Sequence, residues 1–165
     1  MSGSRGQPHY LQAVVASHPL LSKLVSVTDE AHIVPLGQHL SLLPLTDALF
    51  DAVTITDAPW LSRFWKMPAG FDRELAACST DGPVAYIEAE YFGGAGSQNA
   101  QVWDCGHVVL GPLHLPEKQA TPPDGTPISQ ALRRLGVDNG NHHDEFDAVG
   151  LNRHRDTDDW LDHRG

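Results

Sequence analysis

The sequence predicts a single α+β domain, in which N-terminal helices pack on a small antiparallel sheet that is followed by a C-terminal helix and a polar tail. Three observations predict this class. Apolar residues recur at helical spacing in the first half of the chain, a period of two begins at Val84, and helical spacing returns at Ile128. The length of 165 residues is that of one domain. We expect residues 1–7 and about 152–165 of this domain to be flexible.

Helical spacing predicts five helices before residue 80. Their apolar faces are, in chain order, Leu11, Val14 and Val15; Leu20, Leu21, Leu24 and Val25; Ala48, Leu49, Ala52 and Val53; Trp60, Leu61, Phe64 and Trp65; and Phe71, Leu75, Ala76 and Ala77. The first helix begins near Pro8, the second at Ser17 or His18, and the third after an N-cap at Thr46. The fourth begins at Thr56 or Asp57, with a proline in its first turn.

Two short apolar runs separate the second helix from the third. The runs Ile33–Leu36 and Leu40–Leu45 are broken by Gly37, and we expect them to form a β-hairpin. Pro35 and Pro44 then lie at strand edges or ends, where the missing N–H is tolerated.

A three-stranded antiparallel meander is predicted around residues 84–111. Its strands are Val84–Phe92, Gln98–Trp103 and His107–Leu110, and Asp104-Cys105-Gly106 is a tight turn between the last two. The proline-rich segment 113–127 follows as an extended loop. A helix over 128–135, stopped by Gly136 in the C′ position, completes the ordered elements.

The charge of the chain restricts its partners. There are 21 acidic residues against 11 Lys and Arg, a net charge of −10, and nucleic-acid binding needs clustered basic residues instead. A basic protein partner is compatible with this charge. No apolar run approaches the roughly 18 residues of a membrane span, and the first residues lack the apolar core of a secretion signal. We therefore expect a cytoplasmic protein that binds neither nucleic acid nor membrane.

The predicted partner-binding residues are Tyr86, Glu88, Glu90 and Gln98. The first three share one face of the strand Val84–Phe92, because side chains alternate with period two, and Gln98 is expected across the following turn. An aromatic side chain flanked by acids is a plausible contact for a basic partner. Two alternatives remain open for the two glutamates, namely general acid–base chemistry and a purely structural role. We predict no catalytic residue, no cofactor and no metal ligand.

The alternative function is a small enzyme or metal-binding protein that uses the cluster at 138–147. This segment contains adjacent histidines, His142 and His143, between acidic residues. It does not fit an EF-hand, since Gly140 and His142 occupy positions that require oxygen ligands, and the HExxH zinc motif is absent. Beyond it the tail is acidic, with Val149, Leu151, Trp160 and Leu161 as its apolar anchors.

The segment 91–98 is rich in glycine. It fails as a dinucleotide fingerprint, because Asn99 occupies the third glycine position and a strand rather than a helix follows. A tight hairpin turn with positive φ and an anion-binding nest are both compatible with it.

The two cysteines are Cys78 and Cys105, 27 positions apart and without a CxxC motif. We expect both to be ordinary small residues in or near the core, because free cysteine usually is. Their number is too small for a zinc site of the usual kind.

The strand-turn-strand segment 84–106 resembles small bacterial proteins of poorly characterised families. The matching positions are Tyr91, Phe92, Gly93, Gly94, Gly96, Gln98, Trp103 and Gly106. Some of these proteins resemble immunity proteins, which neutralise a cognate toxin in systems of competing bacteria. The resemblance implies a non-enzymatic binding protein whose partner is a toxin, and it implies no catalytic residue.

Overall fold

Six antiparallel strands form one sheet, in the order β2-β3-β1-β4-β5-β6, in the part of the chain that the structure describes. The structure is a computed structural model that describes residues 9–25, 31–46, 49, 70–92, 95–116, 123, 125–138, 140 and 145–149. The strands are β1 (His9–Ser17), β2 (Val34–Pro35), β3 (Leu40–Pro44), β4 (Val84–Phe92), β5 (Ala95–Asp104) and β6 (His107–Leu115). The helices are α1 (His18–Leu24), α2 (Phe71–Cys78), α3 (Pro127–Arg134) and α4 (Glu145–Ala148). A single 3-10 turn, Ser79–Asp81, follows α2.

The prediction of an α+β fold is confirmed, but the first predicted helix is wrong. Residues His9–Ser17 form β1, which lies between β3 and β4 inside the sheet. Every residue from Leu11 to Ala16 is buried. A strand that is buried on both faces loses its alternation, so its apolar run cannot be distinguished from a buried helix by period alone. The second predicted helix is confirmed, since α1 begins directly after β1.

Helices cover both faces of the sheet and create two hydrophobic clusters. The α3 face of the sheet packs against α3 and α4, with the residues Leu11, Ala13, Val15, Leu42, Ala85, Ile87, Ala100, Val102, Ile128, Leu132 and Val149 in one cluster. The α1–α2 face packs against α1 and α2, with Val14, Leu43, Leu21, Phe71, Leu75, Val84, Tyr86 and Trp103 in the other. Alternate residues of each central strand therefore enter different cores.

The predicted meander is confirmed as one half of a larger sheet. The bounds of β4 match the prediction, and β5 begins three residues earlier, at Ala95. β6 continues to Leu115 rather than ending at Leu110, so the predicted loop begins later than expected. Pro112 lies within β6, which is an edge strand, and edge strands tolerate the missing N–H of proline.

The β5–β6 connection is the tight turn expected at Asp104-Cys105-Gly106, and two residues, Cys105 and Gly106, lie between the paired strands. Cys105 has φ +55° and Gly106 has φ +83°, the conformation of a type I′ hairpin turn. The backbone N–H of Cys105 donates to the carbonyl of Ser79 at 2.9 Å, and that of Gly106 donates to the Ser79 hydroxyl at 2.9 Å. The hairpin end of the sheet is thereby attached to the 3-10 turn.

Both ends of α3 agree with the sequence. Thr126 is the N-cap, and its side chain accepts the N–H of Ser129 at 3.2 Å. At the other end Gly136 has φ +96°. The N–H of Gly136 donates to Arg133 and that of Val137 donates to Leu132, which together form a Schellman motif.

The remaining predictions for the first half of the chain are confirmed only where residues are described. β2 and β3 form the expected hairpin, with Val34 opposite Leu42, and α2 spans the predicted fifth helix. Thr46 accepts the N–H of Leu49 at 3.3 Å, which is the expected N-cap bond. The rest of that helix, the aromatic helix at 60–65, residues 1–7 and the tail from 150 onward lie outside the described residues.

No helix in the described part of the chain has both the length and the hydrophobicity that crossing a membrane requires.

Candidate functional site

Four polar residues lie directly opposite one another across four strands. Gln12 on β1 is opposite Glu88 on β4, Glu88 is opposite Asn99 on β5, and Asn99 is opposite His114 on β6. Because paired residues project from the same face, all four side chains lie on the α1–α2 face. We call these four residues the polar row.

The carboxylate of Glu88 is held by two neutral donors. Its side chain is completely buried, with 0% exposure. The Tyr86 hydroxyl donates to Oε2 at 2.6 Å, and Asn99 Nδ2 donates to Oε1 at 2.9 Å. Burying a carboxylate is costly unless hydrogen bonds replace its water, and both oxygens have such a bond here.

The polar row connects this buried carboxylate with the surface. Asn99 is buried, whereas His114 is exposed on the edge strand β6. Asn99 Oδ1 lies 2.5 Å from His114 Nδ1. A continuous series of hydrogen bonds therefore leads from Tyr86 through Glu88 and Asn99 to an exposed imidazole.

Two of the four predicted partner-binding residues are buried in the sheet. Tyr86 and Glu88 are both fully buried, so neither side chain is presented to a partner. They are buried because α1 and α2 pack on this face of the sheet, which the period of two within β4 does not reveal. Glu90 is half-buried, and its contact with a partner stays a prediction.

Gln98 lies on the opposite face from the two glutamates. It pairs with Ala89, which belongs to the α3 face, and its Oε1 accepts the N–H of Ile128 in the first turn of α3 at 3.0 Å. Gln98 therefore helps to attach α3 to the sheet, and the expected grouping with Glu88 and Glu90 is not formed.

The sequence reading missed Asn99 and His114. Phe92 pairs with Ala95, so the β4–β5 connection is only two residues long, and this register places Asn99 opposite Glu88. The sequence placed the start of the second strand at Gln98, which left the pairing register between the two strands undefined. A slip of one residue in this register exchanges the two faces of a strand. The length of the β4–β5 connection was the information needed to place Asn99 opposite Glu88. Gly93 and Gly94 themselves lie outside the described residues.

A second feature is the series of exposed residues along β6. Its exposed residues are His107, Val108, Val109, Pro112 and His114, which we call the β6 strip. Val108 and Val109 are 48% and 37% exposed, and they are the exposed large hydrophobic side chains of the described residues. The strip thus combines apolar side chains with one histidine that is tied to the core.

Two irregularities in register protect the backbone of β6. Trp103 is opposite Val108 but Val102 is opposite Leu110, so Val109 is an extra residue, and a second shift occurs between Ala100 and Val102. Bulges of this kind bend an edge strand and obstruct the addition of another strand. A partner of this strip would therefore contact its side chains rather than extend the sheet.

The cluster at 138–147 lies largely outside the described residues, including His142 and His143. Of its described members, Asp138 exchanges two backbone hydrogen bonds with the side chain of Gln38. Glu145 forms an ion pair with Arg133, with 3.1 Å between Oε2 and Nε. Among the described residues, no group of three His, Cys, Asp or Glu side chains is arranged to hold a metal ion.

The cysteines differ in their surroundings. Cys78 is half-buried and its thiol donates to the carbonyl of Leu20 at 3.3 Å, whereas Cys105 is exposed in the hairpin turn. The expectation of a place in or near the core is therefore wrong for Cys105. Burial raises the pKa of the Cys78 thiol, Lys23 lowers it, and Asp81 raises it further. A raised pKa reduces the thiolate fraction at neutral pH, the opposite of what a nucleophile needs.

We expect the two thiols to react at different rates with Ellman's reagent at pH 7. Cys105 is accessible and reacts first, and Cys78 reacts at least about tenfold more slowly because it is half-buried and its raised pKa reduces its thiolate fraction. Single Cys78→Ser and Cys105→Ser variants assign the two phases. If the fast phase persists in Cys105→Ser, the thiol of Cys78 is more accessible than the structure indicates.

None of three comparisons with known proteins returned a match: no family model, no curated protein and no solved structure matches the chain. A proposal for its function therefore rests on its own residues and geometry.

Proposed function

We propose that this chain is a cytoplasmic, non-enzymatic binding protein of the immunity type, which neutralises a basic bacterial toxin by direct contact. The observation that carries the proposal is the β6 strip, where Val108 and Val109 are exposed side by side on an edge strand. The resemblance of segment 84–106 to small bacterial proteins, some of which resemble immunity proteins, supports the same class of function.

The β6 strip has the composition of a contact surface. Scattered exposed apolar residues are common on any protein, but these two are adjacent, and Pro112 extends the apolar surface along the same strand. His107 and His114 flank them. An apolar centre with a polar rim is typical of protein–protein interfaces.

The charge of the chain indicates the sign of the partner. A net charge of −10 attracts a basic protein over distances of roughly a Debye length, about 8–10 Å at physiological salt. Complementary charges mainly increase the association rate. A basic partner, such as a nuclease toxin, is therefore favoured over an acidic one, and the association rate is expected to fall as salt is added.

An immunity function requires that a neighbouring gene encode a secreted protein with a C-terminal toxin domain, so the experiment identifies that gene and uses the domain. We expect that domain to be basic, to bind this chain, and to lose its toxicity in cells that co-express it. Val108→Lys is expected to weaken binding by about tenfold or more, since a central apolar contact is lost and like charge is added. His32→Lys is the matched control, because His32 is exposed near the opposite edge of the sheet and the change in charge is the same.

Two results would contradict the proposal. If the wild-type chain neither binds this domain nor relieves its toxicity, the immunity function is wrong. If Val108→Lys and His32→Lys weaken binding equally, only overall charge matters, and the β6 strip is not the interface.

A further inference from the structure

Charge is unevenly distributed around the exposed edge of the sheet. Residues 105–116, which include the whole β6 strip, contain no Asp, Glu, Lys or Arg. The net charge of −10 therefore attracts a basic partner from outside the strip, and the strip itself supplies neutral contacts. Asp104, the last residue of β5, directly precedes this neutral segment.

The carboxylate of Asp104 has no partner within the described part of the chain. Asp104 is half-buried, and its side chain forms neither a hydrogen bond nor an ion pair with a described residue. Asp81, on the 3-10 turn that holds the β5–β6 hairpin, differs because it forms an ion pair with Lys23. A carboxylate that is partly removed from water without a hydrogen-bond partner is stabilised when a cationic donor approaches it.

The hairpin places this carboxylate next to the apolar part of the β6 strip. Asp104 is opposite His107, and Val108 is the next residue of β6. Directly opposite residues have Cα atoms only about 5 Å apart. Both N–H groups of the turn donate to Ser79, which fixes Asp104 relative to the strip. Asp104 and Val108 project toward opposite faces, so a partner that contacts both approaches the hairpin end of the sheet.

We propose that the carboxylate of Asp104 accepts hydrogen bonds from a lysine or arginine of the partner, and that this ion pair borders the apolar contact with Val108 and Val109. The inference rests on the proposed function and deepens it, because it names the chemical group that is recognised beside the β6 strip. Both cationic side chains carry an aliphatic stem that packs on apolar surface while the charged end reaches a carboxylate. The apolar contact excludes water from this border, and an ion pair is stronger where the effective dielectric constant is lower.

The test compares Asp104→Asn with Asp138→Asn in binding the toxin domain described above. Each change removes one negative charge and keeps the size of the side chain. Asp138 is the matched control, because it is exposed and its backbone is bonded to Gln38 in the β2–β3 hairpin, at the opposite edge of the sheet from β6. Asparagine retains an oxygen for the hydrogen bond that Asp138 accepts from the N–H of Gly140. Thermal unfolding of both variants checks that the fold is retained.

The two variants are expected to differ in which rate constant changes. We expect Asp104→Asn to reduce the affinity about tenfold, mainly through faster dissociation, because a contact within the complex is lost. We expect Asp138→Asn to reduce it less than about threefold and only through slower association, because only the net charge changes. Asp104→Glu keeps a carboxylate and is expected to bind within about threefold of the wild type.

The outcomes separate this inference from the proposed function. If Asp104→Asn and Asp138→Asn change both rate constants equally, Asp104 contributes only net charge and the inference is wrong. If Val108→Lys weakens binding but Asp104→Asn binds as the wild type does, the ion pair is absent and the immunity function stands. If the wild-type chain does not bind the toxin domain, both proposals are wrong.

Discussion

Lysine in place of Glu88 is expected to destabilise the protein strongly, whereas lysine in place of Glu90, two residues further along the same strand, is expected to change its stability little. Glu88 is fully buried between Tyr86 and Asn99, and both partners present donors to it. A lysine at this position would bury a cation against those two donors. Disrupting a buried charged site in this way costs about 3–5 kcal/mol.

This cost is large in relation to the total stability of a domain, about 5–15 kcal/mol. Glu90 is half-buried, and an exposed or partly exposed charge contributes only about 0–1 kcal/mol. Urea unfolding followed by far-UV circular dichroism measures both variants. If the two variants unfold at the same urea concentration, Glu88 is not more deeply buried than Glu90. The result also decides between the acidic binding face predicted from the sequence and the buried role seen in the structure.

Alanine in place of Gly111 is expected to destabilise the protein by about 3 kcal/mol. Gly111 has φ +89°, and a Cβ there would lie 2.7 Å from the carbonyl oxygen of Ala100 and 2.9 Å from the backbone nitrogen of Leu113. The left-handed conformation costs about 1–2 kcal/mol for a residue with a side chain, and the overlap with backbone atoms adds about 1–3 kcal/mol.

Gly136→Ala is the matched control for this prediction. Gly136 has φ +96°, but no atom lies within 4 Å of a Cβ at this position. Only the conformational cost of about 1–2 kcal/mol is then expected. The difference in free energy of unfolding between the two variants, about 2 kcal/mol, measures how closely β5 and β6 approach at the bulge. Equal destabilisation by the two alanines would show that the strands separate there at little cost.

Three interpretations of the glutamates were open at the level of the sequence, namely a partner contact, general acid–base chemistry and a structural role, and the burial of Glu88 favours the last for that residue. The alternation in β4 correctly placed Tyr86, Glu88 and Glu90 on one face, and it did not show whether that face meets solvent or helices. A structural role is the interpretation that fits Glu88, because its carboxylate accepts hydrogen bonds from other side chains inside the protein. The surface that we propose for a partner lies on β6, which was predicted from the sequence as the short last strand of the meander.

The sequence by itself determined the elements whose signals are local. The cap at Thr126, the C′ glycine at Gly136 and the turn at Cys105 and Gly106 each depend on the conformational preferences of a few neighbouring residues. β4 was predicted with its exact bounds, because the two kinds of side chain, apolar and mixed, alternate clearly along this segment. These features are specified by residues that are close in sequence, so no knowledge of the rest of the chain is needed.

Only the tertiary structure decided the features that depend on partners distant in sequence. Residues His9–Ser17 became a strand because β3 and β4 lie on either side of it and helices cover both of its faces. Glu88 became a buried group because α1 and α2 cover its face of the sheet, and Gln98 joined the opposite face because the β4–β5 register places it there. The alternation of side chains along a strand specifies which residues share a face of the sheet. Whether that face is buried depends on which helices pack against it, and those helices come from distant parts of the chain.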